Sequence, residues 1–441
     1  MQKIIAAVEK NRERILAAER HIWAHPETGF REVETTRYLA AAFEELGYTL
    51  TYADGITGFF TVLDTGRPGP EILVLGELDS LICPDHPDAD PKTGAVHCCG
   101  HTAQCAALLG IAAALKEPGV LDGMCGRIRL CAVPAEEHLE VEYRRTLHEA
   151  GKIRYYGGKA EFLSRGYFDD VDIALMVHTS LRTAILDGGV GNVVKRIIYK
   201  GKAAHAGGAP WDGCNALYAA NCGLNAINAI RETFAERDII RVHPIVTHGG
   251  DAVNAIPGRV VLESYVRGSS FEAIQGANAK VNRALTGAAY SLGANIEIVD
   301  VPGYAPLKND PGMQSVASDA YKAAFGEELP VTHTMSSGST DMGDLSQLMP
   351  VIHPFIKGQS GTSHGSNFQI ADPEMACLGS AKWQLAMLSL LLSDGAVRAM
   401  QILAEFTPAF AKKEDYLAYL DSCNVSGDRI EYREDGTAVV R

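Results

Sequence analysis

Residues 94–110 read GAVHCCGHTAQCAALLG. The apolar run that begins at Ala103 predicts a helix. Cys99, Gly100 and His101 stand at its mouth. A thiol and an imidazole two positions apart, with glycine between, can turn toward one point, which is a metal-ligand arrangement. Taken alone, the same letters also describe a small-residue patch packed before a helix. The surrounding chain decides between these readings.

On both sides of this stretch lie short apolar runs of strand length. Ile72–Leu75 precedes GELDSL (76–81), with Glu77 and Asp79. Arg127–Val133 precedes PAEEH (134–138), and Ile173–Val177 runs into His178. Runs of this length read as buried strands. Each delivers polar residues at its carboxyl end, where an open α/β sheet binds ligands. The coincidence of Asp79, Glu136–Glu137 and His178 at three strand ends carries more weight than any one motif.

Further out, residues 2–24 carry apolar positions at helical spacing and read as one helix, broken by HPETGF. Thr35–Leu46 reads as a second helix, closed by Gly47. Between about 191 and 301 the order becomes strand, helix, strand, strand, helix, strand, the ferredoxin-like pattern. In this stretch 239–247 reads as a single strand. The module interrupts the larger domain, and PGYAPLKNDPG (302–312) reads as the return linker. His364 sits in the loop 358–368, ahead of a long apolar helix over 373–393. The last 35 or so residues read as a polar tail with a small hairpin. The fold expected is therefore α/β: a split catalytic domain with a mixed sheet flanked by helices, and an inserted ferredoxin-like domain. Its parts are 1–190, 191–302 and 303–441, the last including the tail.

The 441 residues carry 54 acidic against 40 basic side chains, a formal net charge of -14. Nucleic acid and anionic membrane both reward a basic face and are not expected partners. No uncharged apolar run approaches the roughly 18 residues of a membrane helix. The N-terminus is charged throughout, unlike a signal peptide. Ten cysteines without a compact spacing framework suggest reduced thiols and a cytoplasmic location.

Thiolate, imidazole and carboxylate donors suit zinc, manganese, cobalt or nickel better than magnesium or calcium. Cys99, His101, Glu137, His178 and His364, with Glu136 beside them, exceed what one tetrahedral ion needs. Two divalent ions ~3.5–4 Å apart with one shared ligand would use them. Imidazole cannot bridge, and Cys99 is the bridge chosen here. Of the adjacent Glu136 and Glu137, one can bind metal while the other works as general base on an attacking water.

At this point the chain resembles the dimetal aminoacylase and glutamate-carboxypeptidase superfamily of metallopeptidases. The nearest likeness is to its amidohydrolase branch of aminobenzoyl-glutamate, hippurate and auxin-conjugate hydrolases. The matching stretches are IWAHPETGFRE (22–32), GELDSL (76–81), CCGH (98–101), PAEE (134–137), VH (177–178), KAAHAGGAP (202–210), NAIPG (254–258), STDMGD (339–344) and SHGSNF (363–368). The resemblance implies Cys99, His101, Glu137, His178 and His364 as ligands and Glu136 as base, with Asp79 orienting a ligand. It implies His205 as the group that steadies the oxyanion, and Asn254 and Arg267 as holders of substrate oxygens. It also implies that the inserted domain is a lid that pairs subunits into a homodimer. Thr102 stands where relatives carry an acidic or amide residue, Glu77 where many carry His or Asp, and Gly365 follows the last His. Thr102 and the 362–368 loop are expected to line the substrate pocket.

The reading that follows is a metal-dependent amidohydrolase that cleaves an amide joining an acyl or aminoacyl group to an amino acid. A dipeptidase or carboxypeptidase on the same scaffold is the alternative. A non-catalytic binding or regulatory subunit is a reading of another class, and a thiol enzyme using Cys99 with His101 is a fourth.

Overall fold

The three apolar runs around residue 100 lie side by side in a six-stranded sheet. In spatial order its strands are Thr51–Tyr52, Phe59–Asp64, Arg127–Val133, Glu71–Glu77, Ile173–Leu175 and Val351–Ile352. The last four run parallel to one another, and the first two pair antiparallel at one edge. Glu71–Glu77 is buried throughout, as a strand covered on both faces must be. The crossover after it places Arg127–Val133 on one side, and the next crossover places Ile173–Leu175 on the other. The sheet order therefore reverses at the carboxyl end of Glu71–Glu77, where a crevice opens in such folds.

The computed structural model describes residues 1–435 and 437–441. It divides into two compact units. The first comprises Met1–Gly188, Leu307–Ser336 and Asp341–Lys413; the second comprises Gly189–Pro306, Ser337–Thr340 and Glu414–Arg441.

In the first unit the helix His101–Leu115 is buried at every position. A helix apolar on all sides belongs inside a core. It packs against the helix Arg12–Trp23 and the strand Glu71–Glu77. Glu374–Leu392, the one helical stretch among the described residues long and apolar enough to cross a membrane, is mostly buried in this core. The single helix expected over 2–24 is two, Gln2–Lys10 and Arg12–Trp23, parted at Asn11. The Asn11 side-chain amide donates to the Ala7 carbonyl at 2.9 Å, the local competition that makes Asn a poor helix interior.

The second unit has the expected strand–helix alternation, with its own core. Its elements are Gly191–Lys200, Ala216–Ile230, Arg241–Val242, Ile245–His248, Arg259–Gly268, Phe271–Ser291 and Asn295–Pro302. Gly191–Lys200 lies between Arg259–Gly268 and Asn295–Pro302, antiparallel to both, which is the ferredoxin-like arrangement. The single strand expected over 239–247 is two short ones. Pro244 separates them, because it has no N–H to give the ladder.

The C-terminal segment corrects the sequence reading, which groups it with the catalytic part. Val425–Asp428 pairs antiparallel with Asn295–Pro302 and covers that sheet edge. Ile430 enters the second core. The hairpin Ile430–Tyr432 with Ala438–Val440 is present.

Candidate metal centre

Gly100 begins the helix His101–Leu115 with φ +98°, a conformation that suits glycine. A Cβ here would meet Thr179 Cγ2 at 2.3 Å. The tight turn places Cys99 and His101 on one side of the helix mouth. His101 Nδ1 lies 2.9 Å from the Asp79 carbonyl oxygen and 3.3 Å from Asp79 Oδ1. Both can only accept, so Nδ1 carries the proton and Nε2 presents a lone pair. That Nε2 is buried and has no hydrogen-bond partner among the described residues.

Asp79 is wholly buried. Its other oxygen accepts the Glu137 N–H at 2.8 Å. Asp79 thus holds the imidazole through its main-chain carbonyl and the backbone of the PAEE turn through its carboxylate.

His178 opens the strand His178–Ser180, which pairs with Phe355–Lys357, rather than ending the strand before it. Its Nδ1 donates to the Thr179 carbonyl at 2.6 Å, leaving Nε2 at 3.4 Å from Cys99 Sγ. His364 lies in a loop whose N–H donates to the Cys98 carbonyl at 2.8 Å. Its φ is +64°, a strained value for a residue with a Cβ and a frequent mark of functional sites. His364 Nε2 reaches Glu137 Oε1 at 3.1 Å.

Three groups of side chains converge, the donor atoms of each lying within 4.8 Å of one another. They are Cys99 with His101 and His178; Cys99 with Glu137 and His364; and Glu77 with His101 and Glu136. Bonds of about 2.0–2.3 Å to a tetrahedral ion require ligand atoms to stand some 3–4 Å apart. The first two groups fit a divalent cation each, and they share Cys99. The five residues read from the sequence as ligands are thus brought together, with Glu136 beside them.

The electrostatics agree with that donor chemistry. Burial pushes the Cys99 thiol up, but the facing imidazoles more than offset it and the thiol ends at about 5. Burial pushes Glu137 up, His364 pulls it further down, and it ends at about 2. Glu137 in turn lifts the His364 imidazole to about 11. Glu136 stands well above the usual carboxylate range, through burial first and then the charges of Glu77, Glu137 and Asp341.

Other residues around the cluster escape the sequence reading. Lys159, wholly buried, donates to Glu77 Oε1 at 2.6 Å and to Asp341 Oδ1. Glu77 Oε2 lies 3.2 Å from His101 Nε2, so Lys159 and Asp341 stand behind the cluster through Glu77. Glu32, also buried, accepts the Ala135 N–H at 2.8 Å. It thereby pins a turn in which Ala135 has φ +56°. Glu32 and Asp341 fall within quoted stretches, HPETGFRE and STDMGD. Lys159 has no such signal.

Thr102 does not line a pocket. It is fully buried and donates to Glu19 Oε1 at 3.3 Å, because the first turn of a fully buried helix turns that position into the core. His205, Asn254 and Arg267 belong to the second unit. His205 Nδ1 accepts the N–H groups of Gly207 and Gly208 at 3.1 and 2.9 Å, so its neutral ring exposes Nε2–H. Asn254 is exposed, and its carbonyl accepts the Ala206 N–H at 2.9 Å beside His205. Arg267 donates to His243 Nε2 at 3.1 Å and Ser339 Oγ at 3.0 Å.

The model of peptidase family M20/M25/M40 matches residues 73–382. The chain belongs to this family. As an M20 member it is a hydrolase of carbon–nitrogen amide bonds, and the amidohydrolase resemblance drawn from the motifs holds. Among curated relatives, the human Xaa-Arg dipeptidase is 28% identical over 408 residues, covering 87% of this chain and 86% of the relative. One of the subunits of the Escherichia coli p-aminobenzoyl-glutamate hydrolase is 28% identical over 300 residues, covering 66% of this chain and 58% of the relative. The indole-3-acetyl-aspartic acid hydrolase of Enterobacter agglomerans is 30% identical over 263 residues, covering 56% of each. Among solved structures, a dinuclear metal-binding M20 peptidase from Bacillus subtilis superposes with a TM-score of 0.63 at 21% identity, over 87% of this chain and 99% of that one. These M20 proteins share its fold.

Proposed function

We propose that this chain is a two-metal amidohydrolase that frees an amino acid from its N-acyl or aminoacyl amide. The observation that carries the reading is the pair of donor groups sharing Cys99, with the buried carboxyl of Glu136 against them. Cys99, His101 and His178 would hold one divalent ion and Cys99, Glu137 and His364 the other. Zinc and manganese match the donors best, with cobalt and nickel as further candidates. Bound there, the ions would polarise the scissile carbonyl and acidify a water molecule.

The chain's own groups supply the rest. Glu136, lifted by burial and by its acidic neighbours, takes a proton from the attacking water. It then hands that proton to the departing amine. His101 and His178 keep their lone pairs turned inward because backbone carbonyls hold their Nδ1 protons. His205, through its exposed Nε2–H, is assigned to the oxyanion. Asn254 and Arg267 are assigned to the substrate's carboxylate, which a guanidinium suits.

Glu136→Ala should lower kcat by about 10²-fold or more while the bound metal, measured by elemental analysis, stays the same. Near-normal turnover would defeat the assignment. The human dipeptidase likeness, which extends over most of both chains, favours a second reading: a dipeptidase on the same site. A panel of N-acyl amino acids and dipeptides, assayed with zinc and with manganese, separates the two. A cytoplasmic location, suggested by the ten cysteines, and a homodimer through the inserted domain complete the proposal. Fractionation and light scattering test them.

A further inference from the structure

The second unit contains a cavity of about 420 Å³. One wall is the helix Phe271–Ser291, the floor is the end of the strand Asn295–Pro302, and the opposite wall is the C-terminal segment. The Phe271 and Tyr419 rings, 4.7 Å apart between centroids, give it an apolar rim. Its floor is a buried polar network. Lys195 Nζ donates to Asn278 Oδ1 at 2.9 Å, to Asn282 Oδ1 at 2.5 Å and to Asp300 Oδ1. The second Asp300 oxygen accepts from Asn278 Nδ2 at 2.8 Å and Asn282 Nδ2 at 3.1 Å. Lys195 and Asp300 satisfy each other.

Two lining groups are left over. The side-chain oxygen of Asn192, a residue only 5% exposed, has no hydrogen-bond partner among the described residues. Neither has the buried Nε of Arg429. Buried polar groups are ordinarily paired, and leaving one unpaired is costly. Asp300 is already engaged by Lys195, so it does not pair with the Arg429 guanidinium, which brings a positive charge to the opposite wall. The two orphans thus ask for an anionic acceptor at Arg429 and a donor at Asn192, under an apolar body that fills the rim. A cavity of this size holds a small molecule.

We propose that this cavity is a second ligand site, for a small organic carboxylate with an apolar body, held by Arg429 and Asn192. Nothing in it overlaps the Cys99 cluster, which belongs to the other unit. The proposal therefore stands or falls apart from the hydrolytic reading. Two sources share this chemistry: an apolar amino acid, which brings an ammonium donor for Asn192, and a free aryl or alkyl acid, which does not.

Isothermal titration of the full chain with L-phenylalanine and, separately, with 3-phenylpropanoate tests it. The expected result is saturable one-site binding of at least one probe. Arg429→Gln should weaken it about ten- to a hundredfold, the worth of a hydrogen bond to a charged group. Ala279→Trp, which fills the cavity from an exposed helix position, should abolish it. Either variant carries the test if the other does not fold. Preference for phenylalanine would identify the amino-acid source, and preference for phenylpropanoate the free acid. No saturation by either probe up to about 10 mM, a very weak affinity, would overturn the proposal. Binding that both variants leave unchanged would also overturn it, since the probe would then sit elsewhere.

Discussion

At the scale of single residues, the site depends on a few buried charges whose partners are distant in sequence. Lys159 pairs with both Glu77 and Asp341 from a fully buried position. Removing one member of such a set strands the others, which costs about 3–5 kcal/mol. Lys159→Met should lower unfolding stability by that amount in denaturant titration, whereas replacing Arg12 of the exposed Arg12–Glu13 pair should leave it nearly unchanged. Protons make a second prediction. Burial pushes the His101 and His178 imidazoles down, but the Cys99 thiolate more than offsets it and both end above their usual range. In the metal-free chain the two imidazoles therefore keep their protons to a higher pH than usual, and a cation must displace them, while the Cys99 thiol, at about 5, gives up its own early. Metal binding should release protons, and affinity should rise with pH. Zinc titrations in two buffers of different protonation enthalpy measure this, and identical heats would refute it. Asp79, Cys99, Glu136, Glu137 and His178 are legible because they stand at the ends of apolar runs. Lys159 and Glu32 are not, because a buried ion pair leaves no local pattern.

At the scale of elements, alternation and breakers read well. Arg127–Val133 has the bounds its apolar run gives it. Misreadings come where a single residue interrupts a period. Asn11 splits a helix by bonding back to Ala7, and Pro244 splits a strand. Thr102 is misplaced because helix burial on all sides gives no sequence clue to which side faces a pocket. The C-terminal strand Val425–Asp428 escapes notice as a strand because Gly, Ser and Asp are poor strand formers. It forms by completing the hydrogen bonds of an existing edge. Deleting 423–441 should bare that edge, and exposed edges recruit other chains. Concentration-dependent association in size-exclusion chromatography is the expected outcome. An unchanged elution volume and melting curve would mean that the strand contributes nothing.

At the scale of the whole molecule, the insertion is visible because a βαββαβ run replaces the pattern around it. Where the chain returns is not, since the last residues join the second unit only through tertiary pairing. Two separate cores and one unit holding the metal cluster lead to a calorimetric prediction. Chelation should lower the melting transition of the first unit and leave that of the second in place, because a ligand stabilises what it binds. Equal shifts of all transitions would contradict it.

The scattering of the donors also bears on how the protein is made. A chain emerging from the ribosome presents Cys99, His101, Glu137 and His178 long before His364, with the whole inserted domain synthesised in between. Domains fold as they emerge, so the ferredoxin-like module can take shape while the second donor group still lacks its imidazole. On the two-metal proposal, filling of both sites is then completed only late in the life of the nascent polypeptide, and Asp341, which pairs with Lys159, arrives only shortly before it.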